Sequence, residues 1–504
     1  MDEQNWSPWL SSLTLHVALL IFLYSASFLL YNIYLHPLAQ VPGPLWWRAS
    51  RLGFLQSFLT GNLVIDVRKS HEKYGDIVRI APDEVSFARE EAWVDALGGR
   101  KPLPRNATFF KAAPGQPDNL VTTADPEASI RMRQVISPAF TERALARQEP
   151  RIQFYTNLLI RRLQERVARP SNATQGAVID LVDWFHWFAF DLVGELAFGE
   201  AFGCLSETKD HPWISRIFNS IKVSAFAATT RYYSGLEPLL LQLIPPSIRK
   251  MQDDHFAFAK ARVRRRMQSP KRDDFMTPML EGNPNFEKMS IPEIESTVAV
   301  LILAGSETTA TTLCGICNSL VQSPEQLHRL EKEIRSTFDT ERNITLRALQ
   351  QLPFLNAVIS EGLRMCNPVA GGILRKVPEG GSMICGYFLP KGTHVLINST
   401  AMSYSAANFS RADEFLPERF LPEEMRPTEF EDDRRINQKP FGLGSRSCLG
   451  KPFALAEMRL VLARLIWNFD LSEVSDCKVD WNKLKSYVVV EKKPIRVIIK
   501  PRLK

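Results

Sequence analysis

The part of the chain best suited to chemistry is a glycine-rich loop around one cysteine, Phe441-Gly-Leu-Gly-Ser-Arg-Ser-Cys-Leu-Gly450. The pattern F-x-x-G-x-R-x-C-x-G fixes five positions, so a chance match is rare in a chain of 504 residues. A thiolate that binds haem iron favours O–O cleavage. Cys448 lies just before a predicted helix, whose free N–H groups and dipole stabilise an anion. The loop therefore predicts a thiolate metal ligand; the alternative is a buried structural cysteine beside a glycine turn.

The other residues of this loop have properties that suit such a ligand. Gly442 and Gly444 permit a tight turn, and Gly450 lets the following helix approach a flat macrocycle. Arg446 can pair with a haem propionate. Phe441 can lie against the sulfur and limit its access to water. These residues are therefore predicted to bind the cofactor.

A second group of reactive residues lies in a long apolar helix that we predict over residues 292–320. Ala304 and Thr308 are four residues apart and share one face of it. Small side chains at Ala304 and Gly305 leave room for dioxygen, and the Thr308 hydroxyl can donate a hydrogen bond to it. Glu307 can relay the protons that O–O cleavage consumes. The alternative is a Ser/Thr-rich helix bent by hydroxyls that bond to its backbone.

These two motifs together resemble the cytochrome P450 superfamily. The cysteine loop is similar to the family's haem-ligand loop, and Ala304 to Thr309 is similar to its oxygen-activation motif. The resemblance implies a mainly α fold with minor β sheets, in which haem lies between the long central helix and the helix after the cysteine. It also implies haem b as cofactor, with Cys448 as the axial ligand of the iron.

A buried ion-pair cluster is implied by two further motifs. Glu361-Gly-Leu-Arg364 resembles the family's E-x-x-R pair, and Pro417-Glu-Arg-Phe420 resembles its P-E-R-F motif. By this resemblance Glu361, Arg364 and Arg419 form a structural triad that supports the cysteine loop. Alone, an E-x-x-R pair at i,i+3 is common on helix surfaces.

Two more arginines resemble the family's propionate-binding residues. Arg133 lies in a segment similar to the helix that reaches the haem edge, and Arg375 follows Gly371-Gly-Ile-Leu. The family usually has Trp or His four residues before the first arginine, where this chain has Ser129. The alternative for each arginine is that it is an ordinary charged residue on the surface and binds no propionate.

The N-terminal region predicts a membrane anchor. Residues 13–35 are almost continuously apolar, and about 20 such residues cross a bilayer core. Acidic residues precede the segment and basic residues follow it, which favours a cytosolic body. The alternative is a long buried core helix. The predicted organisation is a lumenal tail (1–12), a transmembrane anchor (13–35), a Pro-rich linker (36–48) and a cytosolic haem-thiolate catalytic domain (49–504).

Composition narrows the class of protein without deciding it. Hydrophobic residues make up 45% of the chain, which excludes a disordered or fibrous protein. Seven cysteines are too few for a disulfide scaffold of this length, and an odd number leaves one unpaired. The net charge of +7 suits an anionic membrane surface or an acidic partner, but it is spread along the chain without a nucleic-acid-binding motif. We therefore predict no nucleic-acid partner.

Hydrophobic periodicity predicts a helix-rich body. A hairpin is predicted over 76–88, around Pro82-Asp83, and further short strands over 383–389, 394–398, 486–490 and 494–499. His186, within a run of aromatic residues, is predicted to be a core histidine. Helices are predicted over 127–136, 146–168, 179–198, 213–224, 246–267, 292–320, 323–338, 345–349, 353–365 and 450–468.

The resemblance implies a monooxygenase that inserts one oxygen atom from O2 into an apolar small molecule. No G-x-G-x-x-G follows a strand, so electrons from NADPH should arrive through a separate NADPH–cytochrome P450 reductase, with cytochrome b5 as a second candidate partner. The segment Asp191 to Gly203 and the entry His36 to Pro44 resemble fungal microsomal members that act on terpenoids, polyketides or alkaloids in secondary metabolism. This places the anchor in the endoplasmic reticulum membrane. The implied substrate pocket is apolar and includes Phe109, Phe110, Leu303, Val369, Leu374 and Val488.

Two alternative functions remain at this point. A haem-thiolate isomerase or lyase needs no reductase, and such enzymes commonly lack an acid–alcohol pair like Glu307-Thr308. A non-catalytic haem sensor needs neither that pair nor an apolar pocket. Product formation that depends on NADPH and a reductase separates all three.

Overall fold

The N-terminal segment forms one long helix that stands away from the rest of the protein. The computed structural model describes residues 7–99, 101–112, 115–169, 176–475 and 477–502, with backbone only for 7–11 and 214–221. Helix α1 (Ser7–Leu30) continues into a π-helical turn (Tyr31–Leu35). Its apolar stretch, Ser12–Leu35, is long enough to cross a membrane and has no buried residues in its most apolar window. The start of the predicted lumenal tail lies outside the described residues.

Short helices and a hairpin connect this helix to the body of the protein. The hairpin predicted over 76–88 is confirmed, because its two strands pair in antiparallel fashion. These elements are α2 (Leu45–Ala49), α3 (Leu52–Leu59), α4 (Leu63–Tyr74), β1 (Ile77–Ala81), β2 (Glu84–Phe87) and α5 (Glu91–Leu97).

Helices form most of the remaining body, as predicted. The helices of this body are α6 (Pro126–Ile136), α7 (Glu142–Val167), α8 (Leu181–Phe198), α9 (Cys204–Glu207), α10 (Pro212–Thr230), α11 (Glu237–Leu241), α12 (Pro246–Met267), α13 (Thr277–Glu281), α14 (Ile291–Gln322), α15 (Pro324–Thr337), α16 (Leu346–Leu349), α17 (Pro353–Met365), α18 (Ser399–Ser403) and α19 (Lys451–Asn468).

The strands form small sheets, which confirms the mainly α fold class. The first sheet has the order β1-β2-β7-β4, in which only β2 and β7 are parallel. The second has the order β3-β9-β8, and β5 and β6 form a separate hairpin. The further strands are β3 (Ala177–Asp180), β4 (Ile373–Lys376), β5 (Ser382–Ile384), β6 (Tyr387–Leu389), β7 (His394–Ile397), β8 (Phe469–Glu473) and β9 (Arg496–Pro501).

Some short strands differ from the prediction. The helix predicted from residue 179 begins only at Leu181, because Ala177–Asp180 pairs with β9 at the other end of the chain. The strands β4 and β8 are also additional to the prediction. The segment 486–490 makes only an isolated bridge, between Ser486 and Val490. Such pairings depend on distant segments, so local periodicity does not reveal them.

Helix α14 is the central element of the core. Its start is fixed by a capping box, since Ser290 Oγ accepts from Glu293 N–H and the Glu293 carboxylate accepts from Ser290 N–H at 2.8 Å. Most of its length is buried among α8, α12, α17 and α19. The apolar character that qualifies it by composition as a second candidate membrane span therefore reflects burial inside the protein.

A glycine sets the distance between α14 and α17. A Cβ at Gly362 would lie 2.2 Å from Ile316 Cγ1, inside the closed core. We expect Gly362→Ala to lower the free energy of unfolding by about 1–3 kcal/mol, because the two helices must separate. Gly235→Ala is the matched control, since its Cβ would meet no atom within 4 Å. Denaturant unfolding of both variants measures the difference, and equal midpoints would contradict the close packing.

Candidate active site

The cysteine loop is a tight turn that precedes α19. Gly442 and Gly444 have φ values of 71° and 78°, the left-handed region that favours glycine. The turn is closed by Cys448 N–H, which donates to the Phe441 carbonyl at 2.8 Å. The Cys448 side chain is exposed and forms no disulfide. The glycines therefore have the role that the sequence predicts for them.

Burial and the neighbouring groups change the pKa of the Cys448 thiol in opposite directions. Its partly enclosed position raises the pKa of the thiol above the usual value. The backbone N–H groups of Gly450 and Lys451 and the charge of Arg133 act in the opposite direction and favour the thiolate. The free amides that are predicted to stabilise the Cys448 thiolate at the start of α19 are therefore those of Gly450 and Lys451. That Phe441 limits water access to the sulfur stays a prediction.

Two of the predicted arginines, Arg133 and Arg446, make hydrogen bonds between the cysteine loop and the region of α6. Arg133 Nη1, from α6, donates to the Ser447 carbonyl at 2.7 Å. Arg446 Nη1 donates to the Thr123 carbonyl at 2.8 Å, just before α6 begins. Burial is the main cause that lowers the pKa of both guanidinium groups. They therefore join the cysteine loop to both ends of α6.

The third predicted arginine has a neighbour that the sequence did not reveal. Arg375 on β4 forms an isolated bridge with Arg105. The buried atoms Arg375 Nε, Arg105 Nε and Arg105 Nη1 have no hydrogen-bond partner in the described part of the chain. Burial and the charge of Arg446 lower the pKa of Arg375 to about 10, and burial with both other arginines lowers that of Arg105 to about 9. Arg105, Arg375 and Arg446 thus concentrate positive charge in one region, where burial and their mutual repulsion lower the pKa of Arg105 and Arg375.

One face of α14 is open at the predicted oxygen motif. Ala304 is exposed and Thr308 is half-buried, while Glu307 is fully buried. The Thr308 hydroxyl donates to the Ala304 carbonyl at 2.6 Å. Gly305 differs from the prediction: its Cα lies against α8, where a Cβ would be 3.2 Å from Val193. The small size of Gly305 therefore allows α14 to pack against α8. The space for dioxygen at the open face of α14 is left by Ala304 alone of these two residues.

The Glu307 carboxylate lies in an ion-pair cluster. Lys492 Nζ is 2.9 Å from Glu307 Oε2, and His186 Nε2 is 2.8 Å from Oε1. Burial acts to raise the pKa of Glu307, but His186 and Lys492 outweigh it and lower the pKa to about 2. His186 is buried as predicted, but it faces a carboxylate rather than only apolar neighbours. Lys492 has no recognisable local pattern, so the sequence did not single it out.

The residues of the predicted triad lie together inside the protein. Arg364 makes two hydrogen bonds to the Glu361 carboxylate, at 2.7 and 2.8 Å, and Arg419 Nε donates to Glu361 Oε1 at 3.2 Å. All three are almost completely buried. Asp433, which the sequence did not reveal, binds Arg419 Nη1. The cluster is therefore a four-member network.

A comparison with known families now identifies the chain. The family model described as Cytochrome P450 matches residues 40–499. The chain belongs to the cytochrome P450 family. This match confirms the predicted membership of the family.

Curated relatives of this P450 are fungal and share most of its length. The cytochrome P450 monooxygenase atr2 of Stereocaulon alpinum is 38% identical over 471 residues, which cover 93% of this chain and 91% of the relative. The cytochrome P450 monooxygenase lcsI of Purpureocillium lilacinum is 37% identical, covering 96% and 92%. The cytochrome P450 monooxygenase astJ of Aspergillus oryzae is 38% identical, covering 94% of each. This P450 is therefore a monooxygenase, of a class that uses haem-thiolate iron, redox-partner reductases and small-molecule substrates.

The residues present fit a haem. Two propionates need cationic donors, and Arg105 and Arg375 offer buried N–H groups that no protein atom in the described residues accepts. An iron ligand needs an accessible sulfur, and Cys448 is exposed between amide donors and Arg133. The exposed Ala304 supplies a small side chain on the central helix. Without an acceptor, these buried N–H groups of Arg105 and Arg375 would remain unsatisfied, at an energetic cost.

A second buried acid joins the central helix to the helix of the cysteine loop. Glu457 of α19 is fully buried and accepts a hydrogen bond from the Thr309 hydroxyl at 3.1 Å, whereas its Oε1 has no partner among the described residues. Burial raises the pKa of Glu457 to about 8. The carboxyl group is therefore neutral below that pH in the folded protein.

This shift predicts how stability depends on pH. In the unfolded chain the Glu457 carboxyl group loses its proton near pH 4.5, whereas in the folded protein it keeps the proton up to about pH 8. Glu457 thus contributes stability that is present at low pH and lost as the pH rises, by up to about 1.4 kcal/mol per pH unit. We expect Glu457→Gln, which stays neutral, to remove this dependence. Unfolding midpoints from pH 5 to 8 measure it, and parallel curves for the variant and the wild type would disprove it.

Proposed function

We propose that this P450 is a membrane-anchored haem-thiolate monooxygenase of secondary metabolism. It inserts one oxygen atom from O2 into an apolar small molecule, a terpenoid, polyketide or alkaloid intermediate. When bound, haem b would supply the oxygen-activating chemistry, and the Cys448 thiolate would hold its iron. Electrons come from NADPH through NADPH–cytochrome P450 reductase, with cytochrome b5 as a second donor.

One observation carries the proposal above all others. The Cys448 thiol lies among the amide donors of Gly450 and Lys451 and the charge of Arg133, while Arg105 and Arg375 have buried N–H groups with no acceptor among the described residues. Arg105, Arg133, Arg375 and Arg446 would hold the propionates, and Gly450 would let α19 approach the macrocycle. Thr308 would turn its hydroxyl from the Ala304 carbonyl to donate a hydrogen bond to dioxygen in the space that Ala304 leaves, and Glu307 would relay protons. The triad of Glu361, Arg364 and Arg419 would support the cysteine loop.

The anchor helix is proposed to hold the domain at the endoplasmic reticulum membrane, with one span over 13–35 and a linker over 36–48. The end of this helix is fixed to the domain by polar contacts. Asn32 Nδ2 donates to the Ala49 carbonyl at 2.9 Å, and Arg79 Nη1 donates to the Asn32 carbonyl at 2.8 Å. These bonds satisfy groups that a helix terminus leaves free. The catalytic domain, 49–504, would therefore keep a defined orientation to the bilayer on its cytosolic side.

An acidic redox partner suits the surface around the cysteine loop. Lys439 and Lys451 are cationic residues on either side of the loop. Arg446 lies between them in the sequence and is half-buried against Thr123. Such charges steer association with a partner of opposite sign. We propose this face as the docking site of the reductase.

An apolar substrate suits the side chains that the sequence assigns to the substrate pocket. Phe109 and Phe110 have ring centroids 5.0 Å apart and are half-buried, as are Leu303 and Leu374. Val369 and Val488 are 42% and 38% exposed. Apolar side chains that remain partly exposed next to a buried core are typical of a binding cavity for small organic molecules.

The decisive experiment is a substrate screen with the full chain, reductase and NADPH in reconstituted membranes. A panel of terpenoids, polyketides and alkaloids is analysed by mass spectrometry under 18O2. The expected result is a product heavier by one labelled oxygen atom, which forms only with both NADPH and reductase. Thr308→Ala, made alongside, should lower product formed per NADPH consumed, because its hydroxyl lies on the open face.

Other outcomes separate the alternatives. A product that forms without NADPH and reductase would indicate a haem-thiolate isomerase or lyase. Stable haem with no product from any compound in the panel would favour a haem-binding sensor. Both results contradict the proposed monooxygenase.

A further inference from the structure

The loop that carries Phe109 and Phe110 is organised around one buried asparagine. Asn106 has no exposed area. Its Oδ1 accepts hydrogen bonds from the backbone N–H groups of Thr108 and Phe109, at 3.0 and 3.3 Å, and its carbonyl accepts from Phe110 N–H at 2.9 Å. The amide side chain of Asn106 therefore orders the turn that presents the two aromatic rings.

The other end of this amide group contacts a histidine on β7. Asn106 Nδ2 lies 2.7 Å from His394 Nδ1. Because two backbone N–H groups occupy Asn106 Oδ1, Nδ2 is the donor and the imidazole Nδ1 must accept. The imidazole proton is then on Nε2, which is 3.6 Å from Asp83 Oδ2. Burial and the charge of Arg51 lower the pKa of His394 to about 3, so the ring stays neutral and Nδ1 remains an acceptor.

The end of α10 packs against the same histidine and the same loop. The ring centroids of Tyr232 and His394 are 5.3 Å apart, with the rings edge to face. The guanidinium group of Arg51 lies 4.1 Å from the centroid of the Tyr232 ring. Arg231 Nη1 donates to the Phe109 carbonyl at 3.1 Å. The His394 imidazole is thus enclosed between the first sheet, the loop and the residues that follow α10.

The loop also lies beside the proposed cofactor site. The Arg105 guanidinium is 4.5 Å from the centroid of the Phe110 ring, and Arg105 forms the bridge with Arg375 on β4. Lys376 N–H donates to the Pro104 carbonyl at 3.1 Å. A change in the position of this loop would therefore move its aromatic rings relative to the residues that are proposed to bind a propionate.

We propose that His394 is a positioning residue for substrate selection, because it holds the turn of Phe109 and Phe110 in place through Asn106. The inference rests on the proposed function, in which these two phenylalanines line the substrate pocket. His394 itself touches neither substrate nor cofactor in this account. Its Nδ1 fixes the Asn106 amide, Asn106 fixes the turn, and the turn determines the shape of the apolar surface that a substrate contacts.

Hydrogen exchange tests this chain of contacts without haem or turnover. His394→Leu removes the acceptor for Asn106 Nδ2, and the backbone amides of residues 108–110 should exchange faster by on the order of tenfold, the effect of one lost buried hydrogen bond. His394→Asn, whose amide oxygen can take the place of Nδ1, should restore slow exchange. The measurement uses the full chain in lipid nanodiscs and mass spectrometry of peptides. Wild-type exchange at 108–110 in His394→Leu would overturn the proposal, and His394→Ala repeats the test if the leucine variant does not fold.

A second buried histidine provides the matched control. His71 on α4 contacts Ser86 Oγ at 2.7 Å and the Gly75 carbonyl at 2.9 Å through its two ring nitrogens. His71→Leu should therefore lower the free energy of unfolding while exchange at 108–110 keeps its wild-type rate. Faster exchange at 108–110 in both variants would mean that general destabilisation, and not the contact with Asn106, loosens the turn.

Ligand binding then tests substrate selection. Imidazole and 4-phenylimidazole are titrated into the haem-loaded chain, and the shift of the Soret band is recorded. In His394→Leu the dissociation constant of 4-phenylimidazole should rise by on the order of tenfold, because its ring loses aromatic contacts, whereas that of imidazole should stay unchanged. Both constants should stay unchanged in His71→Leu. Equal constants for 4-phenylimidazole in His394→Leu and the wild type would overturn the role in selection.

Turnover separates positioning from catalysis. With a compound converted in the screen, His394→Leu should raise KM by on the order of tenfold and change kcat by less than about twofold. The double variant with Asn106→Ala should have the same KM as Asn106→Ala alone, since His394 acts through Asn106. Losses that multiply would contradict this order of action.

The two proposals fail in different ways. If the wild type converts nothing in the screen, the monooxygenase proposal fails, while exchange at 108–110 still reports whether His394 holds the turn. If the wild type turns over and His394→Leu has wild-type exchange and wild-type KM, only the positioning role of His394 fails.

Discussion

Replacing Cys448 by alanine is expected to abolish monooxygenase activity and the long-wavelength Soret band of the reduced carbon-monoxide complex. That band requires a thiolate that holds the haem iron, and Cys448 is the exposed cysteine in the turn before α19. No neighbouring side chain of the turn offers a substitute sulfur, since the flanking residues are Ser447 and Leu449. The expected loss is complete rather than partial, because a neutral methyl group cannot bind the metal.

The spectrum is compared with that of a matched cysteine variant. Cys477→Ala removes a partly exposed thiol from the segment after β8 and should leave the band and the turnover unchanged. Circular dichroism shows whether Cys448→Ala keeps its helices, and Cys448→Ser provides a second variant with an oxygen at the same place. A thiolate-type band that persists in Cys448→Ala would mean that another residue binds the iron.

The parts of the site that the sequence revealed are those whose chemistry is local. The turn around Cys448 needs glycines at fixed offsets, and the pair Ala304 and Thr308 needs one helical spacing, so both leave a pattern within a few residues. Glu361 and Arg364 are likewise one helical turn apart. Each of these patterns could be identified before any fold was known, because the backbone alone brings the side chains together.

The parts that the sequence did not reveal are joined only by the fold. Arg105 lies beside Arg375 because its segment pairs with β4. Lys492 contacts Glu307 of α14 from a segment far along the chain. His186 looked like an ordinary core residue because its carboxylate partner lies on another helix. Strand Ala177–Asp180 exists because β9 returns beside it. A single sequence carries no local signal for such contacts, since tertiary packing outweighs intrinsic preference.

Replacing Arg364 by alanine is expected to lower the free energy of unfolding by about 3–5 kcal/mol, the usual result of leaving a buried charge uncompensated. Among the described residues, Glu361 would keep Arg419 and the Leu416 N–H as partners. Arg364 Nη1 also donates to the carbonyls of Ser403 and Ala412, at 2.6 and 2.7 Å, and these too would lose a donor. Since single domains are stable by about 5–15 kcal/mol, much of the protein should fail to fold or to retain haem.

The chain contains a matched control for this effect. Arg411 and Glu414 form an ion pair with the same spacing, but their side chains are 46% and 54% exposed. Arg411→Ala should leave the unfolding midpoint unchanged, because solvent screens the pair and solvates the remaining carboxylate. Arg364→Lys, which keeps the charge but loses the planar donor group, should fall between the two. Urea unfolding of the purified full chain in detergent measures all three variants. Equal midpoints for Arg364→Ala and Arg411→Ala would show that burial of the network contributes nothing, whereas a large difference means that α17 and the segment after α18 are held together by this ion-pair network.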